Sequence, residues 1–470
     1  MSGAAISNPR TLAERLQVAE IGRFVTVSAF ERILGFIYLI AFCSFGVQAL
    51  GLIGSHGILP LGDYLRAIRE SGAQREVPTV LWLSSSDAAI RAVWIVGALS
   101  AVVVIACGVG GQRRNLLTRA ALLVCLILWL SICTAGQDFL SFQWDILLLE
   151  AGFLALFANQ SRIRVWLFRW LIFRLMFFSG VVKLLSGDPA WRNLTAMHYH
   201  YETQPLPTPL AWFMNQLPLG AQKASTAFTF VAELLVPLLF FAPRPVRRIA
   251  AWITIAFQLL ILTTGNYTFF NWLTIALCLW LFIEPAPVKS NRYVSATLAT
   301  FIGIVSGLLF LELFGLPIPP GGGTVLHIVS PLRIVNSYGL FAVMTTERPE
   351  IIVEGSNDGL TWAAYEFRYK VGDVHRAPPV VAPHQPRLDW QMWFAALGTY
   401  QSNRWFVNFM VRLLQGEPAV LRLLQYNPFP AAAPKYIRAR LFQYHFTRWG
   451  SHDWWTREER GTYFPAVSLK

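Results

Sequence analysis

Charge is scarce in this sequence. Asp, Glu, Lys and Arg make up 14% of its 470 residues, where an ordinary soluble domain carries about 25%. With 55% hydrophobic residues, that shortfall excludes a soluble globular protein and leaves a polytopic membrane protein. Cysteine is scarcer still. Cys43, Cys107, Cys125, Cys133 and Cys278 all fall inside apolar runs, and none follows residue 278. The polar C-terminal part therefore has no disulfide framework, and the five read as small buried residues. Acidic residues are the rarer sign, 26 against 39 Lys and Arg. In a soluble chain the net +13 would point to nucleic acid. Here the arginines gather in short loops between apolar runs, so no nucleic-acid partner is expected. Catalytic signatures are missing too. No GxSxG elbow, Walker motif, HExxH or strand-following GxGxxG occurs, and Gly321–Gly323 is a linker run. The polar first 30 residues lead into a run too long for a signal-peptide core, so no cleavable signal is expected.

What is present is apolar length. Nine runs stand out, at about 33–53, 92–109, 119–135, 145–158, 165–185, 225–242, 249–264, 267–283 and 294–315. Crossing about 30 Å of hydrocarbon takes roughly 20 residues, and several runs fall short. The fourth is weakest, because it contains Asp145 and Glu150, and is expected to be re-entrant or packed inside other helices. The fold class expected is a membrane all-α bundle of about 8–9 transmembrane helices over residues 32–316, with a polar loop at 186–224 and an N-terminal segment 1–31. LPIPPGGG, Leu316 to Gly323, reads as a hinge. The remainder, 317–470, changes character. EIIVEGSNDGLTWAAYEFRYK gives two strand-like runs about a Ser-Asn-Asp-Gly turn, with Tyr365, Phe367 and Tyr369 alternating with polar residues. YIRARLFQYHF, Tyr436 to Phe446, is another strand. NRWFVNFMVRLLQGEPAVLRLLQ reads as two short helices broken at Gly416 and Pro418. A small α+β or β-sandwich-like domain follows from these.

One polar stretch interrupts the bundle. LTAMHYHYETQPLPTPLAW, Leu194 to Trp212, packs His198, Tyr199, His200, Tyr201 and Glu202 together and then alternates Pro205, Pro207 and Pro209. Each proline lacks an N–H and biases its predecessor away from helix, so a rigid extended strip is expected. His198 and His200 can share a metal only on an extended backbone. Even with Glu202 the spacing falls short of a zinc set, so no metal site is expected. Inside the membrane, Arg169 is expected to snorkel. Arg174 needs an acid, and Glu150 on the preceding span is the nearest candidate. Lys183, near the end of its span, either snorkels or is desolvated enough to act as a base.

Three passages carry a family resemblance: SFQWDILLLEAGFLALF (Ser141–Phe157), FRLMFFSGVVKLLSGDPAWRNLTAMHYHYETQPLPTPLAW (Phe173–Trp212) and VAPHQPRLDWQMWFAAL (Val381–Leu397). Together they resemble the lipase maturation factor family. The resemblance implies a multipass endoplasmic-reticulum protein whose lumenal C-terminal domain helps secreted lipases reach their active, dimeric form. It implies an exported client protein, a lipase among the candidates, with membrane lipid around it. More distantly, SGVVKLLSGDPAW is similar to the segment of vitamin K-dependent γ-glutamyl carboxylases that carries their catalytic lysine, and Lys183 falls on that lysine, although three extra residues precede Trp191. Three functions follow in order: a maturation factor without chemistry of its own; a carboxylase-like enzyme acting on a lipid-soluble substrate through Lys183, with His198 as a further acid or base; and a transporter using the intramembrane charges. The only small ligand the apolar setting suggests is a lipid or quinone. Client-facing candidates are Gln137, Asp138, Gln143, Trp144, Asp145, His198, Tyr199, His200, Tyr201, Glu202, Gln204, His384, Arg387, Asp389 and Trp390.

Orientation follows from basic residues. The even-numbered loops carry Arg113 and Arg114, Arg162 and Arg164, Arg244, Arg247 and Arg248, then Lys289 and Arg292, while the short odd loops carry none. The N-terminus is expected in the cytoplasm, and the C-terminal domain in the endoplasmic-reticulum lumen of a eukaryote or the periplasm of a bacterium. A reporter fused after Lys470 that works only outside the cytoplasm is expected to be active. Activity of a fused reporter that works only in the cytoplasm would contradict this orientation.

Overall fold

The computed structural model describes residues 12–107, 112–159, 161–286 and 291–469, with backbone alone for 12–26 and Gln112. Residues 1–11 and Lys289 of the charge-bias argument lie outside the described residues. Every apolar run becomes a helix: α1 Leu12–Gly46, α2 Asp87–Cys107, α3 Gln112–Ala135, α4 Gln143–Leu156, α5 Arg162–Leu185, α6 Leu219–Phe230, α7 Arg244–Thr264, α8 Phe270–Phe282 and α9 Arg292–Leu313. Among the described residues, seven helices are long and apolar enough to cross a membrane, α6 counting with its continuation to Phe241. This is a multi-pass membrane protein. The two others, α4 with 14 residues and α8 with 13, span only about 20 Å. Helix α4 is one continuous helix. It tolerates Asp145 and Glu150 because both are fully buried against protein partners, not lipid.

Two charges are buried within the bundle. Helix α1 runs unbroken through residue 31, and Glu31 is buried in it, 2.7 Å from Arg119 of α3. Arg169 does not snorkel. It is buried, and its guanidinium donates to the carbonyls of Trp280 and Ile283 at 3.3 and 2.5 Å. Aromatic contact reinforces that corner, with Phe168 stacked on Trp280 at 3.8 Å and Phe30 edge-on to both.

After α9 the expected hinge ends in Gly321, at φ 82°, a left-handed conformation suited to glycine. A short helix, Gly322–Val329, follows at once. The segment 333–348 has no regular structure and leads into the sheet. Strands β1 Pro349–Ser356, β2 Ala363–Ala364, β5 Tyr436–Phe446 and β6 Trp455–Val467 form one antiparallel sheet in the order β2-β1-β5-β6. Strands β3 Glu366–Phe367 and β4 Leu424–Tyr426 form a separate pair. With helices Arg387–Ala396, Arg404–Leu414 and Pro418–Leu421, the region is α+β. The Ser-Asn-Asp-Gly turn closes as expected. Asp358 accepts from the backbone of Leu360 and Thr361 at 2.8 Å each, and these donors hold its carboxyl well below the usual range.

The sheet region docks on the bundle through Arg387. Its guanidinium forms a two-pronged pair with Asp145, 3.0 Å on each arm, and donates to the Phe139 carbonyl at 2.7 Å. Both residues are about 1% exposed or less. Around them, Gln385 accepts from the Trp144 indole at 2.5 Å and donates its backbone N–H to Ser44 at 2.9 Å, while Gln48 accepts from the Arg387 backbone at 2.9 Å. Removing one partner of such a pair strands a buried charge, which costs about 3–5 kcal/mol, whereas apolar replacement of both is often near neutral. Arg387→Ala is therefore expected to lower thermal stability strongly in detergent, and Asp145→Leu with Arg387→Met to unfold closer to the parent than either single change. Unfolding of Arg387→Ala together with the parent would show that this pair does not hold the region.

Candidate functional site

The polar strip is half helix. Ala196–Thr203 is helical, Gln204–Thr208 is extended, and Pro209–Asn215 is helical again. The prolines dictate the extended part, and its carbonyls need donors from outside. Asn266 supplies them to Leu206 at 3.1 Å and Pro207 at 3.3 Å, and ties the strip to the C-terminal region by donating to the Pro379 carbonyl at 2.8 Å. Gly265 gives the strip room here, since a Cβ would displace Gln204 Oε1 or the Tyr267 ring. Because His198 and His200 sit on a helix, not an extended strand, they part company. His198 Nδ1 is 2.6 Å from Gln222 Oε1, and His200 Nε2 is 3.2 Å from the Tyr267 hydroxyl.

The segment 333–348 is threaded between this strip and the bundle, and its main chain is held by bundle side chains. Glu150 accepts from Asn336 N at 3.0 Å and from the Tyr338 hydroxyl at 2.7 Å, while its other oxygen pairs with Arg174. Arg174 in turn donates to the Asn336 carbonyl at 2.8 Å. Gln143 accepts from Gly339 N at 3.0 Å, Trp191 donates to Phe341 O at 3.0 Å, and Asp188 accepts from Met344 N at 2.5 Å. Arg348 closes the thread. It donates to the carbonyls of Glu202 and Gln204 at 2.6 Å and of Pro205 at 3.1 Å, and pairs with Glu350 at 2.8 Å.

Beneath the thread lies a cavity of about 140 Å³ walled by α5, α6 with its continuation, α7, the strip and residues 340–344. Lys183 stands in its wall. It is 3% exposed, so it does not snorkel. Its ammonium is 2.8 Å from Glu233 Oε2, donates to the carbonyls of Ser179 and Leu340 at 3.0 Å each, and lies 5.3 Å from the Trp191 ring. Glu233 reaches it because α6 loses its regular turn. Pro237 cannot donate to a carbonyl one turn back, and residues 231–235 form a π turn followed by a 3₁₀ stretch, Val236–Phe241. Gly180 lets the two elements approach, since a Cβ there would meet Glu233 Cβ at 3.0 Å. At the cavity's upper end stand His200, Tyr201 and Tyr267. Tyr267 donates to Gln204 at 2.9 Å, and Tyr201 shares a 3.0 Å hydrogen bond with Ser225.

Most of the residues singled out by sequence fall into two groups. Lys183, His200 and Tyr201 line the cavity, with Gln204 bonded to Tyr267 beside it. Gln143, Trp144, Asp145, Glu202, Arg387 and Trp390 engage the seam between bundle and C-terminal region, and Asp389 is bonded within the C-terminal region. Glu202 accepts from Phe446 N at 2.8 Å, Asp389 accepts from the backbone of Tyr369 and Lys370 at 2.8 and 2.9 Å, and Trp390 meets the Trp144 ring at 4.9 Å. Tyr199 packs beside Trp191 and Met344. Gln137 donates to Leu59 O at 3.2 Å and His384 Nδ1 is 2.9 Å from the Ser44 hydroxyl. Asp138 and His198 remain exposed, and His198 does not line the cavity with Lys183. Sequence reasoning missed Glu233 as the partner of Lys183, and Arg348 with Lys370 about Glu350, where Lys370 lies 3.0 Å from the carboxylate.

A family model described as the lipase maturation factor transmembrane domain matches residues 25–286, and one described as the lipase maturation factor C-terminal domain matches residues 334–465. Lipase maturation factor 2 of Gallus gallus is 36% identical over 92% of this chain and 80% of its own length. The Homo sapiens protein of the same name is 35% identical over 92% and 81%. Lipase maturation factor 1 of Bos taurus is 33% identical over 93% and 88%. No solved structure matches.

Burial and the nearby Lys183 charge push the His200 imidazole down to about 4, and burial with Arg387 and Arg368 does the same to His384. In the unfolded chain both protonate near 6.5. Their contribution to stability is therefore complete above pH 6.5 and is lost as pH falls toward 4. The stability difference between the parent and a His200→Gln, His384→Gln variant is expected to be constant above pH 7 and to shift against the parent between pH 6.5 and 4, read by thermal unfolding across that range. A difference that stays flat would mean neither imidazole is held neutral.

Proposed function

The chain belongs to the lipase maturation factor family, and on that premise we propose that it is an integral membrane factor assisting the folding, maturation and dimer assembly of exported or secreted proteins, lipases among them. The observation that carries the reading is the likeness to named maturation factors along 92% of the chain. The geometry at Lys183 supports a role without chemistry of its own. A general base needs a free amine, and this one is ion-paired with Glu233 and bonded to two carbonyls. We place the N-terminus in the cytoplasm and the C-terminal region in the endoplasmic-reticulum lumen of a eukaryote, or the periplasm of a bacterium. This orientation counts the short helices α4 and α8 among the crossings, so that the arginine-bearing loops share one side and the strip shares the other with the C-terminal region it touches. The client meets the outward rim of the strip and loops, where Asp138 and His198 are exposed, while the residues of the seam hold that rim in shape.

Co-expression with a secreted lipase in cells lacking their own maturation factor tests this. The parent chain is expected to raise the specific activity of secreted lipase. Arg387→Ala is expected to lose that effect, and Lys183→Met with Glu233→Leu to keep it at equal membrane abundance. Loss of activity in the double variant, with the protein folded, would revive the lysine chemistry. An inactive parent at normal abundance would sink the maturation role for that lipase.

A further inference from the structure

The cavity beneath the thread has an owner among lipids, and its chemistry selects the class. Its side walls are apolar, from Leu175, Phe228, Phe257 and Leu260. Phe228 and Leu260 sit on two membrane-crossing helices and are 37% and 51% exposed, so the wall they share faces the bilayer. A cavity of this size takes a guest about as large as benzene, which here means part of a chain-bearing molecule whose tail lies in the membrane. Inside is an amide with little to bond. Gln258 is 2% exposed. Its oxygen accepts from Asn271 at 2.8 Å, but among the described residues its amide nitrogen has only the Met176 sulfur, at 3.7 Å, and a thioether is a weak acceptor. A buried donor of that kind calls for an oxygen acceptor. The site's ammonium is already matched by Glu233, so an anionic headgroup would arrive as an uncompensated buried charge.

We propose that this cavity binds a neutral single-chain acyl ester of the monoacylglycerol class. The ester carbonyl accepts from the Gln258 amide, the glycerol hydroxyls meet the Tyr201–Ser225 hydroxyl pair, and the acyl chain leaves between Phe228 and Leu260 into the bilayer. No bond is made or broken. This site is separate from the client rim, so its occupancy can be tested without a lipase.

The test uses the full chain in phosphatidylcholine nanodiscs with a photoreactive monoacylglycerol, followed by peptide mapping of the label. Label is expected in the peptides around Phe228 and Leu260, displaced by unlabelled monoacylglycerol and not by the matching free fatty acid. Leu260→Trp, which narrows the opening, is expected to remove most of it. Leu235→Trp, on a side chain 59% exposed away from the cavity, is expected to leave it. Gln258→Leu is expected to weaken competition about fivefold, as for one neutral hydrogen bond. Label spread evenly over the lipid-facing helices, equal competition by the fatty acid, or equal labelling of the two tryptophan variants would each overturn the proposal.

Discussion

Asp145 and Arg387 face each other in an interior where neither can stand alone. A carboxylate there is costly without a counter-charge and hydrogen bonds, and among the described residues the bundle offers it neither from its own helices. The partner comes from the C-terminal region, 242 residues away. That requirement sets the rest of the architecture. The helix carrying Arg387 must lie across the end of α4, the Gln385 turn must sit against Ser44 of α1 and Gln48 just beyond it, and the sheet must hang from that contact. The short helix α4 exists inside a membrane protein because its two acids are both answered by segments beyond the last crossing helix.

The second acid, Glu150, makes the same point in another way. It engages a side chain within the bundle, Arg174, and the main chain of residue 336 at once. Gln143, Trp191 and Asp188 repeat the pattern on Gly339, Phe341 and Met344. Bundle side chains thus treat the segment 333–348 as a strand of donors and acceptors, and that segment needs no secondary structure of its own because its polar groups are satisfied from outside. The strip at 194–212 works in reverse. Its prolines remove donors, and Asn266 and Arg348 supply them to its carbonyls.

Much of this was legible because it is local. Apolar length marked all nine helices. Alternation marked β5 to its end residues, and Gly416 with Pro418 marked the break between two helices. The Arg174–Glu150 contact followed from the short loop joining their helices. What escaped is what depends on distant or irregular structure. Lys183 finds Glu233 only because Pro237 forces a π turn, and no periodicity reports that. Arg169 looked like a snorkelling residue because its acceptors are carbonyls at a helix end, invisible to a search for acids. Strand β6 carries the run Thr456-Arg457-Glu458-Glu459-Arg460, without alternation, and is a strand because β5 pairs with it. The polar residues of the strip were read as a surface facing a client. Tyr201, Thr203, Gln204 and Thr208 are buried and His198 is exposed, and aromatic and polar side chains that seal a domain against a bundle have the same composition as those that line a groove.

The distance between Asp145 and Arg387 along the chain also fixes an order of events. At a synthesis rate of about 5–20 residues per second, roughly ten to fifty seconds separate the two. For that interval the acid is in place and its cation does not yet exist, and Glu150 likewise lacks the main chain of residue 336. The bundle therefore cannot reach its final packing as its helices enter the membrane one by one. It waits until the last third of the protein has been made, so a truncated product would be left with an open bundle rather than a smaller finished one.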